Sequence, residues 1–175
     1  MLNPPKEFLE RIGFDGSWLD IKLPTFDDTG RYSFLATLLF GAVCEHFKIG
    51  FDDRRLNTQK LCEVVMEAIM NAAEHGNKLA SEKIVTLNLW LGPKGVIFAV
   101  GDEGDFYKSL ATKKLIESRT RLPTTKQGPG GSGMDCIYEA DEVFVSVEEN
   151  ALYLLVLANS VVSTKGWGWV PARKS

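Results

Sequence analysis

The sequence predicts a two-layer α/β sandwich, an α+β arrangement in which a mixed, mostly antiparallel sheet carries its helices on one face. Three observations lead there. Apolar runs of strand length come in pairs joined by short turns, which implies antiparallel neighbours because parallel strands need long crossovers. Two long helical patterns stand together after the first strand, so helices are grouped rather than alternating with strands. One of those helices is apolar around most of its circumference, as a helix pressed onto a sheet must be.

In chain order, residues 1–16 read as a loose N-terminal arm with one short helix at 6–12. Residues 18–23 alternate as a strand does, and Pro24 ends it. Asp27, Asp28 and Thr29 offer helix caps before a helical pattern over 32–48, which Gly50 stops. A second helix starts near Asp52 and Asp53, whose carboxylates suit the positive end of the helix dipole, and runs to Glu74 or His75 before Gly76. Residues 84–91 and 96–100 read as strands around a turn at 92–95, the second a continuous apolar run typical of a central strand. Residues 106–127 are polar and mixed, with a weak helix near 110–118. A glycine loop at 128–133 precedes a short helix at 134–140. Residues 142–147 and 152–157 form a closing hairpin turned at 148–150. The expected units are the arm at 1–16, one domain at 17–160 and a Gly/Trp-rich tail at 161–175.

The bulk properties narrow the function classes. A chain of 175 residues, 45% hydrophobic and 25% charged, has the material for one core. Its formal net charge of −3 gives no reason to expect nucleic acid, whose phosphates select basic patches. The longest apolar stretch, residues 34–44, is too short to span a bilayer of about 30 Å. Cys44, Cys62 and Cys136 lie far apart in apolar surroundings without a CxxC pair and read as buried reduced thiols. An odd count without an apolar leader points to the cytoplasm.

The second helix carries the chemistry. Over 61–78, Glu63, Glu67, Asn71, Glu74 and Lys78 fall on one narrow polar stripe of an otherwise apolar helix. A stripe of this kind is ordinarily a solvated face. Asn71 is the odd member, because asparagine is a poor residue for a helix interior. Its amide oxygen suits Mg²⁺, which takes oxygen ligands in a near-octahedral set. Glu67, one turn away, is placed to orient or deprotonate a nucleophile beside that cation.

Two further segments extend the pattern. Asp102-Glu103-Gly104-Asp105 follows a buried strand. It is either a plain acidic turn or a strand-end carboxylate for a purine amino group. Gly128-Pro129-Gly130-Gly131-Ser132-Gly133 places four glycines in six residues before a helix, where backbone N–H groups can converge on an anion. It also fits G-x-G-x-x-G, but no strand precedes it, so the dinucleotide fingerprint is rejected.

Together these segments resemble one family. The run from Glu67 to Asn77, Glu-Ala-Ile-Met-Asn-Ala-Ala-Glu-His-Gly-Asn, resembles the N box of the GHKL ATPases, which include gyrase and the histidine kinases. Asp102-Glu103-Gly104 resembles their G1 box and Gly131-Ser132-Gly133-Met134 their G2 box, in the same order and spacing. The likeness covers roughly residues 17–158 and is greatest to the anti-sigma factor serine-protein kinases. It implies the Bergerat fold and binding of ATP or ADP with Mg²⁺. Asn71 would ligate the metal, Glu67 would be the catalytic base, and Asp102 would take the adenine amino group with Gly104 giving it room. Gly130, Gly131, Ser132 and Gly133 would line the phosphates. Residues 106–127 would be an ATP lid, with Thr125 and Lys126 as phosphate contacts. The resemblance also implies a protein serine/threonine kinase whose partners are a STAS-type anti-sigma antagonist and a sigma factor, and it suggests a homodimer.

The chain departs from the family pattern at Phe106, where the fuller G1 box has a second glycine. That departure supports an alternative, a nucleotide-binding partner-switch module without turnover. A third reading is a stand-alone histidine-kinase-like ATPase domain. His75 lies in the N box itself, and His46 is followed by Phe47 and Lys48 without the acidic residue of a phosphoacceptor box. An autophosphorylating chain is therefore not expected.

Overall fold

Residues 96–100 alternate between two cores, and the rest of the fold follows from this. The computed structural model describes residues 1–48, 58–118, 137 and 140–158, without the side chains of 29 and 58–62. Its elements are α1 (Lys6–Ile12), β1 (Trp18–Pro24), α2 (Thr29–Phe47), α3 (Thr58–Asn71), a π-helical turn (Ala72–Gly76), β2 (Ile84–Gly92), β3 (Gly95–Asp102), α4 (Leu110–Glu117), β4 (Glu142–Ser146) and β5 (Ala151–Leu157). The strands form one sheet in the order β1-β2-β3-β5-β4, and every pairing among them is antiparallel.

Val96, Phe98 and Val100 of β3 join the larger core with Val85, Leu87 and Leu89 of β2 and Leu152, Leu154 and Val156 of β5. Helices α2 and α3 close that core. Tyr32, Ala36, Leu39, Phe40 and Val43 recur at helical spacing on α2, and Val64, Val65, Ala68 and Ile69 do so on α3. Cys44 is buried in the same core. Asp28 caps α2 by accepting from the Gly30 amide at 2.9 Å, as its position in the sequence predicts.

The opposite face of the sheet is also covered. Ile97 and Ala99 pack with Trp90, Tyr153, Leu155 and the α1 residues Phe8 and Ile12. The first sixteen residues are thus not a loose arm. The Leu2 amide donates to Asn88 Oδ1 at 3.0 Å, and Asn3 donates to Glu149 Oε1 from both its amides. Arg11 pairs with Glu142. A sheet buried on its first face alone would leave this second set of apolar side chains in water, and α1 is the element that removes them.

Helix α4 lies along the edge strand β4. Lys113 Nζ donates to the Val145 carbonyl at 2.6 Å, and Glu117 Oε1 accepts from the Val145 amide at 3.0 Å. Two side chains so satisfy an edge residue that no strand among the described residues pairs on that side. The start of the second helix near Asp52 and Asp53, the helix at 134–140 apart from Ile137 and Ala140, and the tail at 161–175 lie outside the described residues. No helix among the described residues is long and apolar enough to cross a membrane.

Candidate functional site

The site assembles where the end of α3 meets the end of β3. Helix α3 does not continue regularly past Asn71. Its last turn widens to a π-helix, with the Asn77 amide donating to the Ala72 carbonyl at 2.8 Å and the Leu79 amide to Ala73 at 2.9 Å. Lys78 and Leu79 then adopt left-handed backbone, with φ of 56° and 57°. The polar stripe expected to extend through Glu74 to Lys78 therefore ends at Asn71. Its members divide by environment. Glu63 and Glu67 are half-buried, Asn71 is buried at 9% exposure, and Glu74 and Lys78 are exposed.

Close backbone contact explains the widened turn. A Cβ on Gly76 would stand 2.2 Å from Asp102 Cγ, and one on Gly104 would stand 1.8 Å from the Gly76 carbonyl oxygen. Only glycine at both positions lets the turn and the strand end approach this closely. Asn77 holds the two together. Its side-chain nitrogen donates to Thr25 Oγ1 at 2.8 Å and to the Ile84 carbonyl at 3.0 Å, while its oxygen accepts from the Glu103 amide at 2.9 Å. A fully buried side chain thus links the ends of β1, β2 and β3 to the π turn.

Asp102 is the focus of this arrangement. Its Oδ1 accepts from the Gly104 amide at 2.8 Å and from Asn150 Nδ2 at 2.7 Å. Its Oδ2 is buried and has no partner among the described residues. Burial pushes the Asp102 pKa above the ordinary aspartate value, opposed by the hydrogen bonds from Asn150 and Gly104. Such a carboxylate, half satisfied and half orphaned, lacks one donor. Tyr107, fully buried nearby, also has a hydroxyl without a protein partner.

Glu67 has a raised pKa as well, from burial first and then from the charges of Glu74 and Glu63. Asn71 keeps a buried Nδ2 with no partner among the described residues. Phe106 packs its ring on His75, with centroids 5.4 Å apart, and on Tyr107 at 5.1 Å. The aromatic side chain is accommodated by packing against the π turn and the core. His46 is half-buried, and its Nε2 lies 3.0 Å from the Gly92 carbonyl, which can only accept. That places its ring at the β2–β3 turn, engaged in the fold.

The described part thus joins Gly76 of the π turn to Asp102 and Gly104, with Glu67 and Asn71 on the last turns of α3 that lead into it. Thr125, Lys126, Gly130, Gly131, Ser132 and Gly133 lie outside the described residues, as does the second half of the expected lid. In the first half, α4 is packed on β4. Sequence reasoning did not single out Asn77, Asn150 or Tyr107. Asn77 stood only as the last residue of the run resembling the N box and Asn150 as a hairpin-turn residue, and their partners across the fold distinguish them.

The residues present fit an adenine nucleotide. Asp102 Oδ2 is a buried acceptor that no described protein group satisfies, which suits an amino-group donor, while the glycine pair lets the π turn close against the strand end. Among the described residues no cluster of three or more His, Cys, Asp or Glu could hold a metal by itself. A Mg²⁺ ion that arrives on a nucleotide needs no such cluster, since phosphate oxygens and water complete its shell around one or two protein oxygens.

No curated protein matches the chain. The family model described as the histidine kinase-like ATPase domain matches residues 35–154, from the middle of α2 through most of β5. That span contains Glu67, Asn71, Gly76, Asp102 and Gly104, so the glycine-lined contact and the half-satisfied aspartate belong to the matched region. The chain is a member of the histidine kinase-like ATPase domain family, an ATP-binding fold.

Proposed function

We propose that this protein binds Mg-ATP and transfers its γ-phosphoryl group to a serine or threonine hydroxyl on a STAS-type anti-sigma antagonist, and that it also binds a sigma factor. The observation that carries the nucleotide part is the buried, unpartnered Oδ2 of Asp102. A hydrogen bond from an amino group to this charged acceptor contributes about 1.5–3 kcal/mol, roughly ten- to a hundredfold in affinity. The kinase and partner roles rest on the likeness of the N, G1 and G2 boxes to the anti-sigma factor serine kinases.

In this reading Asn71 supplies an oxygen to Mg²⁺ at the helix end, and the metal neutralises phosphate charge when bound. Glu67 accepts the proton of the attacking hydroxyl as its oxygen bonds to phosphorus and the bond to ADP breaks. A carboxylate with a raised pKa is a better proton acceptor near neutral pH than an ordinary glutamate. Transfer of ³²P from labelled ATP to a STAS-domain protein tests the proposal. Transfer lost in Glu67→Gln with ADP binding intact supports Glu67 as the base; transfer retained in that variant removes it.

The second reading is a nucleotide-binding switch module without turnover. It draws on Phe106, whose ring packs on His75 of the N box where the family pattern has a glycine. Magnesium-dependent binding without transfer to any STAS substrate favours it.

A further inference from the structure

We infer that Asn150 is a positioning residue for the adenine end, setting which oxygen of Asp102 meets the purine and so giving the site its preference for a 6-amino group. This rests on the nucleotide reading above and extends it to a residue in the β4–β5 turn, 48 positions away in sequence.

The terminal torsion of an aspartate is broad and roughly two-fold, so a carboxylate held at one point can swing. The Gly104 amide alone gives Asp102 one such point. Asn150 adds a second donor to the same oxygen and ties it to the main chain beside it. Its Nδ2 donates to Asp102 Oδ1 and to the Asp102 carbonyl, both at 2.7 Å, and it lies 3.2 Å from the Gly104 carbonyl. All three neighbours are acceptors, so the amide nitrogen and not its oxygen must face them. The Asp102 amide in turn reaches the Asn150 carbonyl at 3.4 Å. Asn150 is therefore braced against both the main chain and the side chain of the strand end.

The bracing has a direction. Oδ1 is occupied by two donors, which leaves no room for a third from a ligand. Among the described residues no group pairs with the buried Oδ2, so that is the atom an incoming amino group meets. Asn150 itself has φ of 54°, a left-handed conformation that asparagine tolerates better than most residues. The turn thus suits both the backbone demand and the amide.

The ligand pair that tests this is ADP and purine riboside 5′-diphosphate, which differ only in the 6-amino group. Wild-type protein is expected to bind ADP about ten- to a hundredfold more tightly than the analogue. Asn150→Gly keeps the left-handed turn free of strain and removes the amide. In that variant the preference is expected to fall to about threefold or less, with the analogue's own affinity unchanged. A variant that weakens both ligands in parallel and keeps the preference shows a merely structural role and overturns the inference. Wild-type protein that binds neither ligand, or binds both equally, refutes the adenine reading itself, which is a different result. A measurement on unaltered protein guards against a variant that fails to fold. The side-chain amide NMR signals of Asn150 should shift with ADP and not with the analogue, and equal shifts with both ligands overturn the inference.

Discussion

Asp102 shows how one residue's surroundings set its chemistry. Burial raises its pKa, so the folded protein takes up a proton there at higher pH than the unfolded chain does. Between the ordinary aspartate pKa and the raised one, acidification favours the fold at this residue, and stability is lost on the alkaline side. Ligand binding runs the other way, because the amino group needs an unprotonated Oδ2. ADP affinity is therefore expected to fall on acidification from a pH above the ordinary aspartate range, without a fall in ligand-free melting temperature from this group. Calorimetric titrations across that range check it; a decline confined to the ordinary aspartate range would contradict it. Asn71 makes a second case at this scale. Removing a buried amide with an orphaned donor should cost the fold little, about 1 kcal/mol or less, while Asn71→Ala abolishes the magnesium-dependent part of the ADP thermal shift. Gly104 behaves differently. Its missing Cβ makes room for the Gly76 carbonyl, so Gly104→Ala should destabilise the ligand-free protein by about 3 kcal/mol. At roughly 2–4 °C per kcal/mol for a chain of this size, its melting temperature should drop by about 6–12 °C.

Among the elements, α3 and its π turn differ most between sequence and structure. The stripe through Glu67 and Asn71 was legible because a regular helix repeats its faces every three to four residues. Its continuation to Lys78 was not, because the widening comes from contact between Gly76 and the Asp102 strand end, which lies across the fold. The strands, the turn at 92–95 and α4 were legible from apolar alternation and turn residues, which are local signals. Asn77 and Asn150 were illegible as site residues, since a turn asparagine looks the same whether it faces water or braces an aspartate. Helix α4 carries its own prediction. Glu117→Ala leaves the Val145 amide on the β4 edge without its acceptor, and should cost about 1–2 kcal/mol by chemical denaturation. An unchanged midpoint would show that the amide finds water at no cost.

For the molecule as a whole, the sheet is a wall between two cores, and the nucleotide end grows from only one of them. The larger core positions α3 against β3. The smaller, closed by α1, holds Glu149 through Asn3 and Tyr153, next in sequence to Asn150. Sequence patterning located α1 but not its burial, because a seven-residue helix carries too few apolar positions to declare a face. Truncating Ile12, which is fully buried, to alanine should therefore destabilise by roughly 3 kcal/mol. A thermal melt that does not move would place α1 outside the folded unit. The proposed nucleotide site belongs to the other core, and an equilibrium titration of ADP with and without Mg²⁺, on wild type beside Asp102→Asn, probes it. Magnesium-dependent binding is expected for the wild type, with its loss in a variant that melts normally; no binding to the wild type, or equal binding to both, refutes the proposal.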